Sequence, residues 1–514
     1  MTQPHETLAS KGLFIDGCRA ARAPSLKVAS AGFDCYTSDT MFYFTRSAMT
    51  QPHETLASKG LFIDGCRAAR APSLKVAREL LEKFQKEFEK DPKNRLAQNV
   101  CTKVDLKDLC QKRTSQVDVE GRPPSNQKVT GRCWLFACLN AIRVPLMRQF
   151  QLDELELSPA YLFFWDKVER SNYFLNNVVE MWRRGETVEG RLFSFLLREP
   201  LEDGGQWHMV HNLVSKHGLV PKQCYQESVT SESSRRFNQI LTSKLREFAK
   251  DLYTLLAKGS SDADVQSTIE QMMETVYRIA SICLGTPPTT FTWEYYDKNK
   301  AYNRLGPITP LEFYEKHVKP VFNFDDKVCL VNDTRPSNPF GDTYTVDCLG
   351  NVVGGIPTVY NNQAIEVFMQ SIVDSVKANE PVWFGCEVVK RCELKRGIFD
   401  VDYFDYEALF GTTFTLGMSR ADRLIYGESC MGHAMLFTGV SLDADGKPVK
   451  FRVENSWGDD TGEKGFFTMT RDWFKEFVFE VVVDKKYLPA DVIAANSKEP
   501  KVLPAWDPMG ALAH

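Results

Sequence analysis

The spacing of apolar residues predicts helices in the part of the chain that follows residue 77. Ser158 and Pro159 are typical of a helix start, because the hydroxyl can accept a hydrogen bond from a free backbone N–H and proline is tolerated in the first turn. A long apolar stripe follows at 160–182. A shorter helix is predicted at 78–90, and another amphipathic helix should end near Gly259. The residues on the apolar face of that last helix are Leu241, Leu245, Phe248, Leu252 and Leu255.

Beyond about residue 325 the pattern changes to short runs rich in β-branched and aromatic residues, which predict strands. These runs are VWFGCEVV at 382–389, HAMLFTGVSL at 433–442, PVKFRVENSW at 448–457, GFFTMT at 465–470 and FVFEVVVD at 477–484. A helical half followed by an antiparallel sheet half is an α+β arrangement. The cleft between two such lobes is a natural place for a functional site.

Composition places the chain among globular proteins. Its 514 residues can bury a large core, and 43 % apolar with 25 % charged residues argues against disorder. A net charge of −4 gives no general attraction for nucleic acid or anionic lipid. The first residues lack an apolar signal region and no run of about 20 apolar residues occurs, so we expect no secretion signal and no membrane span.

The 14 cysteines are scattered, without a Cys-x-x-Cys pair or a zinc-type cluster. His208 and His211 are three residues apart, but no further ligands surround them, which favours an ordinary helix role. Scattered cysteines without a secretion signal indicate reduced thiols, and we therefore expect a cytoplasmic protein.

An identical 29-residue repeat occupies the N-terminal region, where Met1 to Ala29 recurs as Met49 to Ala77. Structural repeats occur in arrays of three or more and diverge in sequence. We therefore interpret residues 1–77 as a duplicated extension outside the fold, with a targeting extension as the alternative. The folded domain is predicted to span 78–514.

The segment from Gln127 to Cys133 places a glycine-containing turn before an apolar helix, so Cys133 should lie at the helix N-terminus. Free backbone N–H groups and the positive end of the helix dipole at that position lower a thiol pKa and can bind an oxyanion. Gln127, six residues upstream, could supply a second oxyanion donor from its side chain. Cys138, within the apolar run, is interpreted as a core residue.

A thiol nucleophile needs a base, and His433 opens a predicted strand behind a loop of small residues. The next predicted strand ends at Asn455. Both residues are equally distant from position 444, so a hairpin without a bulge would place them opposite each other, with Cα atoms about 4.5–5.5 Å apart. The Asn455 amide could then orient the imidazole toward Cys133, as acyl transfer requires. Trp457 could shield their hydrogen bond from water.

Each of these residues has an ordinary structural interpretation when it is considered alone. A cysteine in a helix is commonly a small core residue, a histidine at a strand end is commonly satisfied structurally, and asparagine is a common turn residue. Their joint occurrence in this order favours a catalytic constellation that begins as a thiolate–imidazolium pair.

The motifs Gln127…Cys133-Trp, His433 and Asn455-Ser-Trp457-Gly resemble those of the papain-like cysteine peptidases. The longer segments GRCWLFACLNAIR, DGGQW, RVENSWGDD and LPAWDPMGALA are similar to the bleomycin hydrolase family within that group. The similarity extends from about residue 78 to the C-terminus.

The resemblance implies a papain-like two-lobed fold, with a helical left lobe, an antiparallel β-barrel-like right lobe and helical insertions. It also implies a homohexameric ring and a cysteine aminopeptidase that acts on peptides with a free N-terminus, on the amide of bleomycin and on homocysteine thiolactone. No metal or organic cofactor is expected.

The resemblance also suggests which residues bind substrate. Gly204 and Gly205 match the glycine backbone that pairs with substrate in papain-like clefts, and Trp457 is expected near the substrate. A C-terminal arm at 500–514 is expected in the cleft, where Ala513 and His514 would block the far subsites and their terminal carboxylate would pair with the substrate ammonium.

Three alternatives remain at this stage. An endopeptidase of the same fold would have an open cleft. A nucleic-acid-binding ring would have incidental peptidase activity, although the net acidity weighs against it. An inactive paralogue would retain the fold without the chemistry.

Overall fold

The structure is a computed structural model that describes residues 115–117 and 123–512, apart from the side chains of residues 115, 408 and 409. All of these residues belong to one compact unit. The repeat at 1–77 and the predicted helix at 78–90 lie outside the described residues, so their interpretation stays a prediction.

Helices dominate the first half of the described chain, and further helices occur in the second half. They are α1 (Cys133–Gln149), α2 (Pro159–Arg183), α3 (Arg191–Arg198), α4 (Trp207–His217), α5 (Val229–Glu232), α6 (Arg235–Ala257), α7 (Asp262–Leu284), α8 (Pro310–Phe313), α9 (Ile365–Lys377), α10 (Tyr406–Phe410), α11 (Arg420–Ile425), α12 (Arg471–Phe477) and α13 (Ala490–Ala495). The predicted starts and ends are confirmed: Ser158 Oγ accepts a hydrogen bond from the backbone N–H of Tyr161 at 3.1 Å, and Gly259 follows the end of α6 with a φ of +75°.

Strands dominate the second half, and a few strands also occur in the first half. They are β1 (Ser115–Gln116), β2 (Phe291–Tyr296), β3 (Tyr302–Ile308), β4 (Lys327–Val331), β5 (Thr343–Val346), β6 (Tyr360–Asn362), β7 (Val382–Cys386), β8 (Cys392–Glu393), β9 (Ile398–Phe399), β10 (His433–Leu442), β11 (Pro448–Glu454), β12 (Phe466–Thr470), β13 (Val478–Asp484) and β14 (Lys501–Leu503). All five predicted strands are present.

Twelve strands form one sheet in the order β14-β5-β6-β4-β13-β7-β10-β11-β12-β9-β8, with β1 beside β10, while β2 and β3 form a separate hairpin. The sheet is mixed, because β4–β6, β5–β14 and β9–β12 are parallel pairs and the other neighbours are antiparallel. The predicted antiparallel character therefore holds for the central strands, β13 to β12.

Two apolar clusters occupy opposite faces of this sheet. The first includes the buried faces of α1, α2, α4, α6 and α7 together with Trp383 and Leu436 of the sheet. The second contains Phe384 and Phe437 under α9 and α12. Helix α1 thus packs against one face of β10, and the residues at the start of both elements are brought together. In the described part of the chain, no helix has the length and apolar character that crossing a membrane requires.

Candidate active site

Cys133 is the first residue of α1, as predicted. Arg132 precedes it without a side-chain cap, so the N–H groups of Cys133 and Trp134 are directed at the sulfur. A third donor comes from the sheet, because the backbone N–H of Ala434 lies 3.3 Å from Cys133 Sγ. The side chain is only 1 % exposed. The sulfur therefore sits among N–H donors from both halves of the fold.

His433 is the first residue of β10, and its Nε2 lies 2.9 Å from Oδ1 of Asn455. An amide oxygen can only accept, so Nε2 carries the proton and Nδ1 of the neutral ring can accept one. Trp457 covers the imidazole at a ring-centroid distance of 4.7 Å, which fits the predicted shielding. Because the Ala434 N–H contacts the sulfur, the backbone of the preceding residue, His433, lies close to Cys133.

The predicted strand register at this site was wrong. Register shifts interrupt the pairing of β10 with β11 between Phe437 and Gly439 and again between Ser441 and Leu442, and Leu436 lies opposite Glu454. Continuing that register places position 457, rather than 455, opposite His433. Strand β11 ends at Glu454, so Asn455 reaches the imidazole through its side chain and Trp457 contacts it through its ring.

Gln127 has a fixed side-chain orientation. Its Oε1 accepts a hydrogen bond from Ser456 Oγ at 2.6 Å, and its Nε2 donates to the Thr130 carbonyl at 2.5 Å. The second N–H of this amide remains for another acceptor, as an oxyanion donor requires. Ser456 was not singled out from the sequence, although its position between Asn455 and Trp457 is a signal that could have identified it.

Burial disfavours the charged forms of both Cys133 and His433. It raises the pKa of the Cys133 thiol to about 11, although the N–H groups of Ala434, Trp134 and Cys133 act in the opposite direction. It lowers the pKa of His433 to about 4, with the Asn455 hydrogen bond acting in the opposite direction. The predicted lowering of the thiol pKa by the helix terminus was therefore wrong for a thiol beside a neutral imidazole, because desolvation outweighs it.

Gly204 and Gly205 lie beside the nucleophile helix. A Cβ added to Gly205 would come within 2.6 Å of the Trp134 indole, so the close approach of the ring requires glycine there. The Gly204 carbonyl accepts a hydrogen bond from Arg170 at 2.8 Å. Within 123–512, no hydrogen bond uses the backbone N–H or carbonyl of Gly205. Pairing of this edge with an extended substrate stays a prediction.

The C-terminal segment approaches the same region. The Ala511 carbonyl accepts a hydrogen bond from the Gln206 side chain at 3.0 Å, one residue beyond the glycine pair. Ala513 and His514 lie outside the described residues, so their predicted position in the cleft stays a prediction.

An ion pair fixes the segment further back. Arg335 donates to both carboxylate oxygens of Asp507 at 2.8 and 2.9 Å and also pairs with Asp333 at 2.7 Å. A bidentate contact of this kind fixes the relative orientation of the two side chains. The path toward Gln206 is thus anchored several residues before Ala511.

Residues 75–510 match the peptidase C1-like family. The chain belongs to this family. The bleomycin hydrolases of Rattus norvegicus and Homo sapiens are each 51 % identical over 435 residues, which cover 82 % of this chain and 96 % or 95 % of the relative. Aminopeptidase C of Streptococcus thermophilus is 40 % identical over 440 residues, covering 84 % of this chain and 98 % of the relative.

A solved structure has a similar fold. The crystal structure of PepW from Lactobacillus rhamnosis superposes with a TM-score of 0.78 at 38 % identity, covering 93 % of this chain and 99 % of that one. The predicted papain-like α+β fold, the resemblance to bleomycin hydrolase and the expectation of a cysteine-type aminopeptidase are thereby confirmed.

Proposed function

We propose that the protein hydrolyses N-terminal peptide bonds with Cys133 as nucleophile, His433 as base and acid, and Asn455 as the residue that orients the imidazole. The observation that supports this most directly is the contact of Cys133 Sγ with the N–H of Ala434, next to the histidine whose Nε2 meets Asn455. Since Asn455 Oδ1 holds the proton on Nε2, Nδ1 is the ring atom that can take the proton of the Cys133 thiol in this proposal.

The reacting form is a thiolate–imidazolium pair made by proton transfer from Cys133 to His433. Burial penalises each charge alone, but two opposite charges in contact inside a low-dielectric site offset that penalty. The three N–H groups around the sulfur add to the stabilisation of the thiolate.

Attack of the thiolate on the scissile carbonyl forms a C–S bond, and the oxyanion accepts hydrogen bonds from the Cys133 N–H and Gln127 Nε2. The imidazolium then gives its proton to the leaving nitrogen as the C–N bond breaks. Water, deprotonated by His433, attacks the thioester, and cleavage of the C–S bond restores the thiol. The same steps act on the bleomycin amide, whereas on homocysteine thiolactone the ring C–S bond breaks and the imidazolium gives its proton to the leaving sulfur. We propose both as further substrates, the first since the relatives include bleomycin hydrolases.

Selection of a free N-terminus is assigned to the C-terminal segment. The Gln206–Ala511 hydrogen bond supports a path along the cleft that leaves room for few substrate residues on the N-terminal side of the scissile bond. The homohexameric ring and the cytoplasmic location remain predictions; the nine described cysteines are free thiols, as a reducing compartment requires. Sedimentation velocity and cell fractionation test these two points.

The central experiment measures hydrolysis of amino-acyl fluorogenic amides, with N-terminally blocked amides as comparison. Wild type should cleave only the free amides, and Cys133→Ala should cleave neither. Cys283→Ala, which removes a partly exposed thiol, is the matched control and should behave as wild type. Turnover by Cys133→Ala would overturn the proposal.

An endopeptidase of the same family is the competing function, and deletion of residues 511–514 separates the two. Aminopeptidase selectivity should give way to cleavage of blocked and internal bonds in the shortened chain. Retained selectivity would remove the assigned role of the C-terminal segment, while leaving the nucleophile assignment to the preceding test.

A further inference from the structure

A buried carboxylate outside the proposed triad receives donors from three separate parts of the chain. Asp203 is 8 % exposed. Its Oδ1 accepts from Lys167 Nζ of α2 at 2.7 Å and from Asn238 Nδ2 of α6 at 2.6 Å. Its Oδ2 accepts from the Gly131 backbone N–H at 3.3 Å and from Ser234 Oγ, which precedes α6. One side chain thus joins two helices to the turn before the nucleophile.

Asp203 also contacts Trp134, the residue that follows Cys133. The backbone carbonyl of Asp203 accepts the indole N–H of Trp134 at 2.7 Å, and this indole lies against Gly205. Gly131 and Trp134 flank Cys133 in sequence, so both hydrogen bonds act on the segment that presents the sulfur. Asp203 is also directly followed by the glycine pair expected to bind substrate.

The contact with Lys167 makes this arrangement costly to disturb. Lys167 is fully buried and its ammonium also donates to the Glu202 carbonyl at 2.7 Å. Burial alone would raise the pKa of Asp203, but Lys167, Ser234 and Asn238 hold it below its ordinary value. The carboxylate is therefore charged over the working pH range, and removing its charge leaves a buried ammonium without its counter-ion.

We propose that Asp203, paired with Lys167, is a positioning residue that fixes the turn before Cys133 and the Gly204–Gly205 backbone relative to each other. The inference rests on the proposed function, because it assigns the alignment of nucleophile and substrate to a group that touches neither. Neutralising Asp203 should therefore lower the rate of attack on the substrate more than it lowers the stability of the fold.

The test compares Asp203→Asn with Glu169→Gln, which also neutralises a buried carboxylate paired with a lysine, but on the face of α2 that meets Lys216 and His217. An Asn side chain has one accepting oxygen instead of two, so either the Gly131 N–H or the Lys167 ammonium loses its acceptor. We expect kcat/KM for a free amino-acyl amide to fall by about tenfold or more per titratable Cys133, since small misplacements carry large rate costs. Glu169→Gln should match wild type per competent site.

Counting competent sites by stoichiometric alkylation of Cys133 separates misalignment from loss of folded protein. A normal kcat/KM per site in Asp203→Asn would overturn the inference. Wild-type protein without turnover would instead overturn the proposed function, so the two failures are distinguishable.

Two milder variants serve if Asp203→Asn does not accumulate as folded protein. Ser234→Ala removes a donor from the oxygen that binds Gly131, and Asn238→Ala removes one from the other oxygen. The first should lower kcat/KM per site more than the second, because only its oxygen contacts the turn before the nucleophile. Equal values for both variants and wild type would overturn the inference.

Discussion

Arg143 and Glu454 form a buried ion pair that joins α1, the helix that begins at Cys133, to β11, the strand that ends beside Asn455. Both side chains are 2 % exposed. Arg143 also donates to the Pro123 carbonyl at 3.0 Å. The pair therefore sets the distance between the elements that carry the proposed nucleophile and the residue that orients the imidazole.

Replacing one partner of this pair should destabilise the fold strongly. Arg143→Met is expected to lower the free energy of unfolding by about 3–5 kcal/mol, because it breaks a buried ion pair by removing one of its two charges. Arg143→Met combined with Glu454→Leu should recover much of that loss. Urea unfolding gives these values, and Arg183→Met, which breaks the exposed pair with Asp262, should cost less than about 1 kcal/mol. Equal losses in the buried and exposed single variants would contradict this account.

Removing the imidazole should expose the effect of burial on the thiol. In His433→Ala the Cys133 thiol has no proton acceptor beside it, so its alkylation should rise with pH toward a pKa of about 11. Wild type should instead show a plateau near neutral pH, with a rate at pH 7 about 100-fold or more above the variant. Iodoacetamide labelling across pH 5–10, quantified at Cys133 by peptide mass spectrometry, tests this. A wild-type profile that coincides with that of His433→Ala would rule out the ion pair.

The oxyanion role of Gln127 predicts a loss of kcat. Gln127→Ala should lower kcat about 100-fold or more with little change in KM, because the donor acts on charge that develops in the transition state. Ser456→Ala should give a smaller loss, since it only releases the Gln127 amide from its 2.6 Å hydrogen bond. Steady-state kinetics on a free amino-acyl amide decide the matter. A change confined to KM would assign Gln127 to ground-state binding.

Glu480 should make stability depend on pH. It is fully buried with Oε1 at 2.8 Å from Cys329 Sγ, and burial raises its pKa to about 8. The folded chain thus keeps a proton that the unfolded chain releases above about pH 4.3. The stability that this retained proton gives the fold is fully present below about pH 4.3 and is lost as the pH rises through 8.

The corresponding variant is Glu480→Gln, which keeps the shape without the titration. Its free energy of unfolding relative to wild type should increase by about 1.4 kcal/mol per pH unit between pH 5 and 8. Urea titrations at several pH values measure this difference. Glu312→Gln is the control, because hydrogen bonds from Lys316 and Thr309 lower the pKa of Glu312 to about 2, so its difference from wild type should stay flat in this range. A flat difference for Glu480→Gln would show that this carboxyl is ionised in the folded protein.

Local sequence pattern was sufficient for most of the described elements. The cap at Ser158 and the stop at Gly259 depend on hydrogen bonds and backbone conformation within a few residues, and both appear in the structure. The same holds for Cys133 at the start of α1. Features determined over short distances are those that a pattern can predict.

The remaining features of the site depend on distant contacts. The position facing His433 moves from 455 to 457 because Leu442 pairs with Pro448, which centres the turn at residue 445 rather than 444; the two register shifts within the hairpin cancel each other. The raised thiol pKa results from packing by elements far away in sequence. Asp203 receives donors from residues up to 72 positions away, and nothing in DGGQW indicates which donors those are.

Trp134 places a limit on redesign of the cleft. Its indole lies against Gly205, its N–H holds the Asp203 carbonyl, and its own carbonyl accepts the Trp383 indole N–H at 3.2 Å. One aromatic ring thus acts as a spacer whose thickness defines how near the glycine edge lies to the sulfur. A larger residue at position 205 alone would clash with this spacer, so reshaping the groove at this point has to change both residues at once.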